Sequence, residues 1–148
     1  MKALVLTAAC AALCVPVVAA PAAAQDMPKA ERGDVNWYEI HFIKFKPGKR
    51  ARAHEIIDNY YIPADKAAGT GAGIVDFHFN TGAWDGVVAF PMAGGPADMT
   101  WETSPDDVKW MTALAGIAGG MDKAQAILNE WDMLVEREEI HVGHIDKD

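Results

Sequence analysis

Apolar and polar residues alternate along four stretches of this chain and recur at helical spacing along three others. From Trp37 to Lys46, Tyr38, Ile40 and Phe42 fall on one face of an extended segment. Trp37, Glu39, His41, Ile43 and Phe45 fall on the other, because neighbouring strand side chains point opposite ways. Pro47-Gly48 ends this first strand. Ile74 to Asn80 alternates again, Val75, Phe77 and Phe79 against Asp76, His78 and Asn80. Trp84 to Pro91 reads as a third, more apolar strand, and Glu138 to Ile145 as a fourth. Between them, Ala53, Ile56, Ile57 and Tyr60 predict a helix from Lys49 to about Ile62, with Pro63 near its end. Ser104-Pro105-Asp106-Asp107 is a helix start: a capping hydroxyl, a proline suited to the first turn, and acids at the positive end. That helix carries Val108, Met111, Leu114 and Ala115 and breaks at Gly119-Gly120; another runs from Met121 to about Glu136.

The order is β-α-β-β-α-β, which predicts an α+β, ferredoxin-like domain: an antiparallel sheet with the helices on one face. In the usual strand order, 4-1-3-2, the first and fourth strands are neighbours. Three strands repeat one motif, a carboxylate and a histidine two residues apart: Glu39-Ile40-His41, Asp76-Phe77-His78 and Glu139-Ile140-His141. Each motif puts acid and imidazole on one strand face. The apolar anchors Ile40, Phe42, Val75, Phe77, Phe79, Ile140 and Val142 suit the helix-covered side. The opposite face would then hold Trp37, Glu39, His41, Asp76, His78, Asn80, Glu139 and His141, joined by Trp84, Val88 and Phe90.

The segment Glu39-Ile40-His41-Phe42-Ile43-Lys44-Phe45-Lys46-Pro47-Gly48 resembles the opening strand of the dimeric α/β-barrel superfamily, which includes stress-responsive barrels and antibiotic-biosynthesis-monooxygenase-like proteins. The resemblance implies a homodimer whose two sheets face each other as a barrel, with a pocket on the face away from the helices. It also implies a choice among cofactor-independent monooxygenation, polyketide cyclisation and haem degradation. Haem-binding relatives and the cyclases place a key histidine on the helix after the third strand. Here no histidine lies between His78 and His141, so haem chemistry and that form of cyclisation are disfavoured, and no cofactor is expected.

The N-terminus carries a different message. Lys2, the apolar run Ala3–Ala20 and the small-residue exit Ala22-Ala23-Ala24 form the pattern of a secretory signal peptide. It predicts residues 1–24 as a signal, cleavage after Ala24, a flexible leader over 25–35 and a single domain over 36–148, in a secreted and periplasmic protein. Both cysteines, Cys10 and Cys14, fall within the signal, so the mature chain offers no thiol or disulfide. Removing Lys2 makes the formal net charge of −8 one unit more negative. That excludes the basic patch of a nucleic-acid binder and disfavours an anionic membrane surface, leaving no membrane partner after cleavage.

The expected partners are a second copy of the chain and a small hydrophobic or aromatic ligand. His41 is the central candidate, with Glu39 as its modulator. His141 with Glu139 comes next, and His78 with Asp76 third. Trp37, Ile43, Asn80, Trp84, Phe90 and Trp101 are the candidate substrate contacts, Trp101 as a lid from the Met92–Thr103 loop. Two imidazoles and a carboxylate also suit non-haem iron or zinc; His41 with His141 is the pair that adjacency would allow. The expectation is a small-molecule-binding protein, either an enzyme doing acid–base or cofactor-independent monooxygenase-type chemistry on an aromatic or polyketide-like substrate, or a non-catalytic ligand-binding or structural homodimer.

Overall fold

The four alternating segments pair into one antiparallel sheet in the order β2-β3-β1-β4. The computed structural model describes residues 29–147; the signal segment and its cleavage point lie outside them. Of the expected leader, residues 29–34 are without regular structure, and Val35 already opens the first strand. The chain from Gly33 onward forms one compact unit. Its strands are β1 (Val35–Phe45), β2 (Val75–His78), β3 (Gly86–Met92) and β4 (Val135–Asp146). The domain is α+β and ferredoxin-like, with the order the alternation predicts.

The first helical region outruns its prediction. It starts as α1 (Arg50–Ile56), passes through a π turn (Ile57–Tyr61) and continues as α2 (Ile62–Ala68), ending at Gly69 with φ 73°. Pro63 does not stop it. A proline inside an α-helix lacks a donor and clashes with the carbonyl four residues back; the wider turn just before it relieves both. The second helix, α3 (Pro105–Ala118), starts on a capping box in which Ser104 and Asp107 exchange hydrogen bonds, and it ends at Gly119 with φ 82°. After this break α4 (Met121–Leu134) leads straight into β4.

Helices cover one face of the sheet, at one end. Ile43 and Phe45 of β1 are buried with Ala53, Ile56, Ile127 and Leu134, and Val88 packs against them. A second cluster, Ala64, Leu114 and Ala124 with Tyr60, Trp110 and Leu128, joins α2, α3 and α4 to one another. Register carries the parity of Ile43 across the sheet. His41 stands opposite Val88 and Ile140, Glu39 opposite Phe90 and Val142, and Val88 opposite Asp76. The helix side therefore holds Trp37, Glu39, His41, Ile43, Phe45, Asp76, His78, Val88, Phe90, Glu138, Ile140 and Val142.

This corrects the face assignment made from the anchors. Tyr38, Ile40, Phe42, Val75, Phe77, Val87 and Ala89 lie on the face away from the helices, not under them. The physical reason is size at the strand end. Ile43 and Phe45 sit where the helices lie, and their burial decides which side of β1 turns inward.

Candidate functional site

The three acid-x-His motifs divide between the two faces. Glu39-Ile40-His41 and Asp76-Phe77-His78 present their polar pairs to the helix side; Glu139-Ile140-His141 presents its pair to the open side, since His141 stands opposite Ile40 and Glu139 opposite Phe42. The predicted partnership of His41 with His141 across adjacent strands is therefore absent. Adjacency was right, but a one-residue difference in parity sends the two imidazoles to opposite faces.

His41 has another partner instead. Its Nε2 lies 2.7 Å from Glu39 Oε1 and its Nδ1 lies 2.7 Å from Glu138 Oε1. Phe90 meets the ring edge-on at 5.3 Å, and the imidazole keeps only 17% of its exposure. An imidazole donates to both carboxylates only when both nitrogens carry protons. The group is a cross-strand clip between β1 and β4, with neither nitrogen free for a ligand. Glu138 escapes the motif reading because the repeated pattern points to Glu139 next to it.

On the helix side of the opposite edge, the His78 ring meets the His54 ring of α1 edge-to-face at 4.4 Å. Asp76 Oδ2 lies 3.1 Å from His78 Nε2, and the Arg50 Nε–H donates to His54 Nε2 at 3.4 Å. Burial, then His78 and Arg50, push His54 below its ordinary value, outweighing Asp58 and Asp76. At the loop entering β3, burial works against the charge of Asp85, yet the Phe45 N–H at 2.8 Å and Lys44 at 3.2 Å hold its carboxyl below the usual range.

The open face is mainly apolar. Tyr38, Ile40, Val75, Phe77, Val87, Ala89, Gly143 and Ile145 line a shallow hollow of about 220 Å³. Phe77 and Ile145 are each 59% exposed, and no described element packs on this side. The hollow exists because Ala89 and Gly143 are small among larger neighbours. Polar groups stand at its margins. His141 meets Phe42 edge-on at 5.6 Å, and its one carboxylate neighbour, Glu139, is 3.6 Å away. Trp84 packs tilted against Phe42 at 5.8 Å and carries the Arg137 guanidinium 4.2 Å over its ring.

The predicted substrate contacts scatter. Trp84 lies by the open face. Trp37 and Phe90 are on the helix side, Trp37 against His144 at 4.8 Å and Phe90 against His41. Ile43 is core, Asn80 lies in the exposed turn after β2, and Trp101 is exposed in its loop. The lining residues Tyr38, Ile40, Val75, Phe77, Val87 and Ala89 were missed as contacts because their hydrophobicity read as core. Among the described residues, no group of three or more histidines and carboxylates is arranged to hold a metal ion.

The chain matches no protein-family model, and no curated protein matches it in sequence. Its fold is similar to solved NIPSNAP family proteins. One from Agrobacterium tumefaciens, of unknown function, is 15% identical with a TM-score of 0.49, over 76% of this chain and 89% of that one. Another from the same bacterium is also 15% identical at a TM-score of 0.49, over 80% and 92%. An uncharacterised NIPSNAP domain protein from Burkholderia xenovorans is 12% identical at 0.42, over 72% and 91%.

Proposed function

We propose that this protein binds a small, mainly apolar molecule on the open face of its sheet, and that a second copy of the chain closes the site with its own open face. The observation that carries the reading is the uncovered apolar row from Tyr38 to Ala89, with a hollow at its centre. An exposed contiguous apolar patch marks an interaction surface. A drug-sized pocket occupies roughly 300–1,000 Å³. The hollow, at about 220 Å³, is half a site, and two facing halves reach that range. The N-terminal pattern from Lys2 to Ala24 supports a periplasmic location.

A second reading makes the site catalytic, and one observation favours it. His141 is 58% exposed, projects from the open face and has one ring nitrogen without a protein partner among the described residues. Glu139 would modulate it as it accepted or returned a proton from a bound molecule. This transfers the proton-transfer role from His41 to the motif on β4.

The test uses the mature chain and an apolar fluorescent probe, N-phenyl-1-naphthylamine. Wild type is expected to enhance its emission saturably. Ala89→Trp, which fills the hollow, is expected to weaken that binding about tenfold or more, the scale of losing a buried ring's burial energy. A wild-type protein that leaves the probe dark, or an Ala89→Trp protein that binds it equally well, sinks the reading.

A further inference from the structure

The strand β2 is four residues long, lies at the sheet edge, and is exposed at every position. Among the described residues its only strand neighbour is β3. On the helix side its side-chain link to α1 is the His54–His78 ring contact; on the other side Val75 and Phe77 form one wall of the hollow. An element with one ladder and few buried contacts opens locally at small cost.

We propose that the His54–His78 contact is an acid-sensitive latch that holds β2 to α1, so that acidification releases β2 and with it one wall of the apolar hollow. The claim about the hollow rests on the ligand-binding reading above; the latch itself does not. The chemistry is read from what surrounds His54. From its own helix, Arg50 donates to Nε2, a bond that requires this nitrogen to be unprotonated. Arg50 is not free to turn away, because its Nη1 donates to the Phe79 carbonyl at 2.7 Å and faces Asp85 at 4.0 Å. From β2, His78 stands against the ring, with Asp76 Oδ2 beside its own Nε2 at 3.1 Å. From the π turn comes Asp58, and from β1 the uncharged ring of Phe45.

Protonating His54 therefore breaks the Arg50 bond and sets a cation against a guanidinium and against the His78 ring, both of which oppose charge on it. The sign follows from linkage. The folded state holds His54 below its ordinary value of 6.5, so the unfolded or opened state binds more protons in that window. The stabilisation is fully present above 6.5 and is lost as pH falls through the lowered value.

Amide hydrogen exchange of the full mature chain at pH 7.5 and pH 5.0, corrected for intrinsic rates, tests this. The protection of Val75–His78 relative to β1 is expected to be lower at pH 5.0 than at pH 7.5. In His54→Phe, which keeps an aromatic ring without a titratable nitrogen, the ratio is expected to stay constant between the two pH values. His78→Phe, measured alongside, carries the same expectation and serves if the first variant does not fold. A wild-type ratio that is unchanged by pH, or one that falls equally in the folded Phe variants, overturns the latch. The fluorescent probe separates the two ideas. Wild type is expected to lose the probe at pH 5.0 while His54→Phe retains it. A protein with pH-dependent β2 exchange that binds no probe at either pH upholds the latch and refutes the ligand reading.

Discussion

A histidine with a carboxylate 2.7 Å from each ring nitrogen has neither nitrogen free to meet a substrate, and His41 is in that position between Glu39 and Glu138. His141, with a single carboxylate at 3.6 Å, keeps one nitrogen without a protein partner among the described residues. The two histidines should therefore answer differently to the same change. His41→Ala removes two charge-assisted bonds and leaves two carboxylates facing each other, so it is expected to lower unfolding free energy by about 1–2 kcal/mol. It should leave probe binding on the open face unchanged. His141→Ala is expected to do the reverse: little loss of stability, and a change in binding or turnover. Urea unfolding and probe titration of both variants check this, and a His41→Ala protein that stays fully stable but loses the probe would reverse the assignment. The acid-x-His pairs were legible because a strand's period of two places i and i+2 on one side. Glu138 was not, since cross-strand register depends on pairing that no local pattern states.

Secondary elements were legible wherever local chemistry acts alone. Ser104, Pro105 and Asp107 announce the start of α3, and the cap forms as the residue types require. Ser104→Ala is expected to cost about 1 kcal/mol, measured as a lower urea midpoint at unchanged slope; an unchanged midpoint would mean that tertiary packing alone holds that helix end. The region around Pro63 was read too short, because a proline normally marks a helix limit and the π turn that tolerates it leaves no signature in composition. The sheet faces were the larger miss. Both sides of β1 carry big apolar residues, Tyr38, Ile40 and Phe42 against Trp37, Ile43 and Phe45. Hydrophobicity could not choose between them. The choice is made by where the helices land, over Ile43 and Phe45 and short of His41.

At the scale of the whole molecule, helices on one side of a sheet leave the other side to find its own cover. If a second copy supplies it, a charge placed on the open face should separate the pair. Phe77→Asp is expected to shift the sedimentation coefficient from dimer to monomer, with far-UV circular dichroism unchanged, because burying an unpaired carboxylate there costs several kcal/mol. A wild type that sediments as a monomer at tens of micromolar would remove this arrangement. The other border of the sheet raises a separate question. Among the described residues, β4 pairs with β1 alone, so one flank of a 12-residue strand presents unused amide donors and acceptors. Such a flank can recruit further strands without end. Glu136, Glu138, Glu139 and Asp146 outnumber the single Arg137 on this strand, so the acidic excess makes two molecules that approach flank to flank repel near neutrality. Replacing those four carboxylates by their amides would remove the guard, turning the same strand into a growth point for filaments.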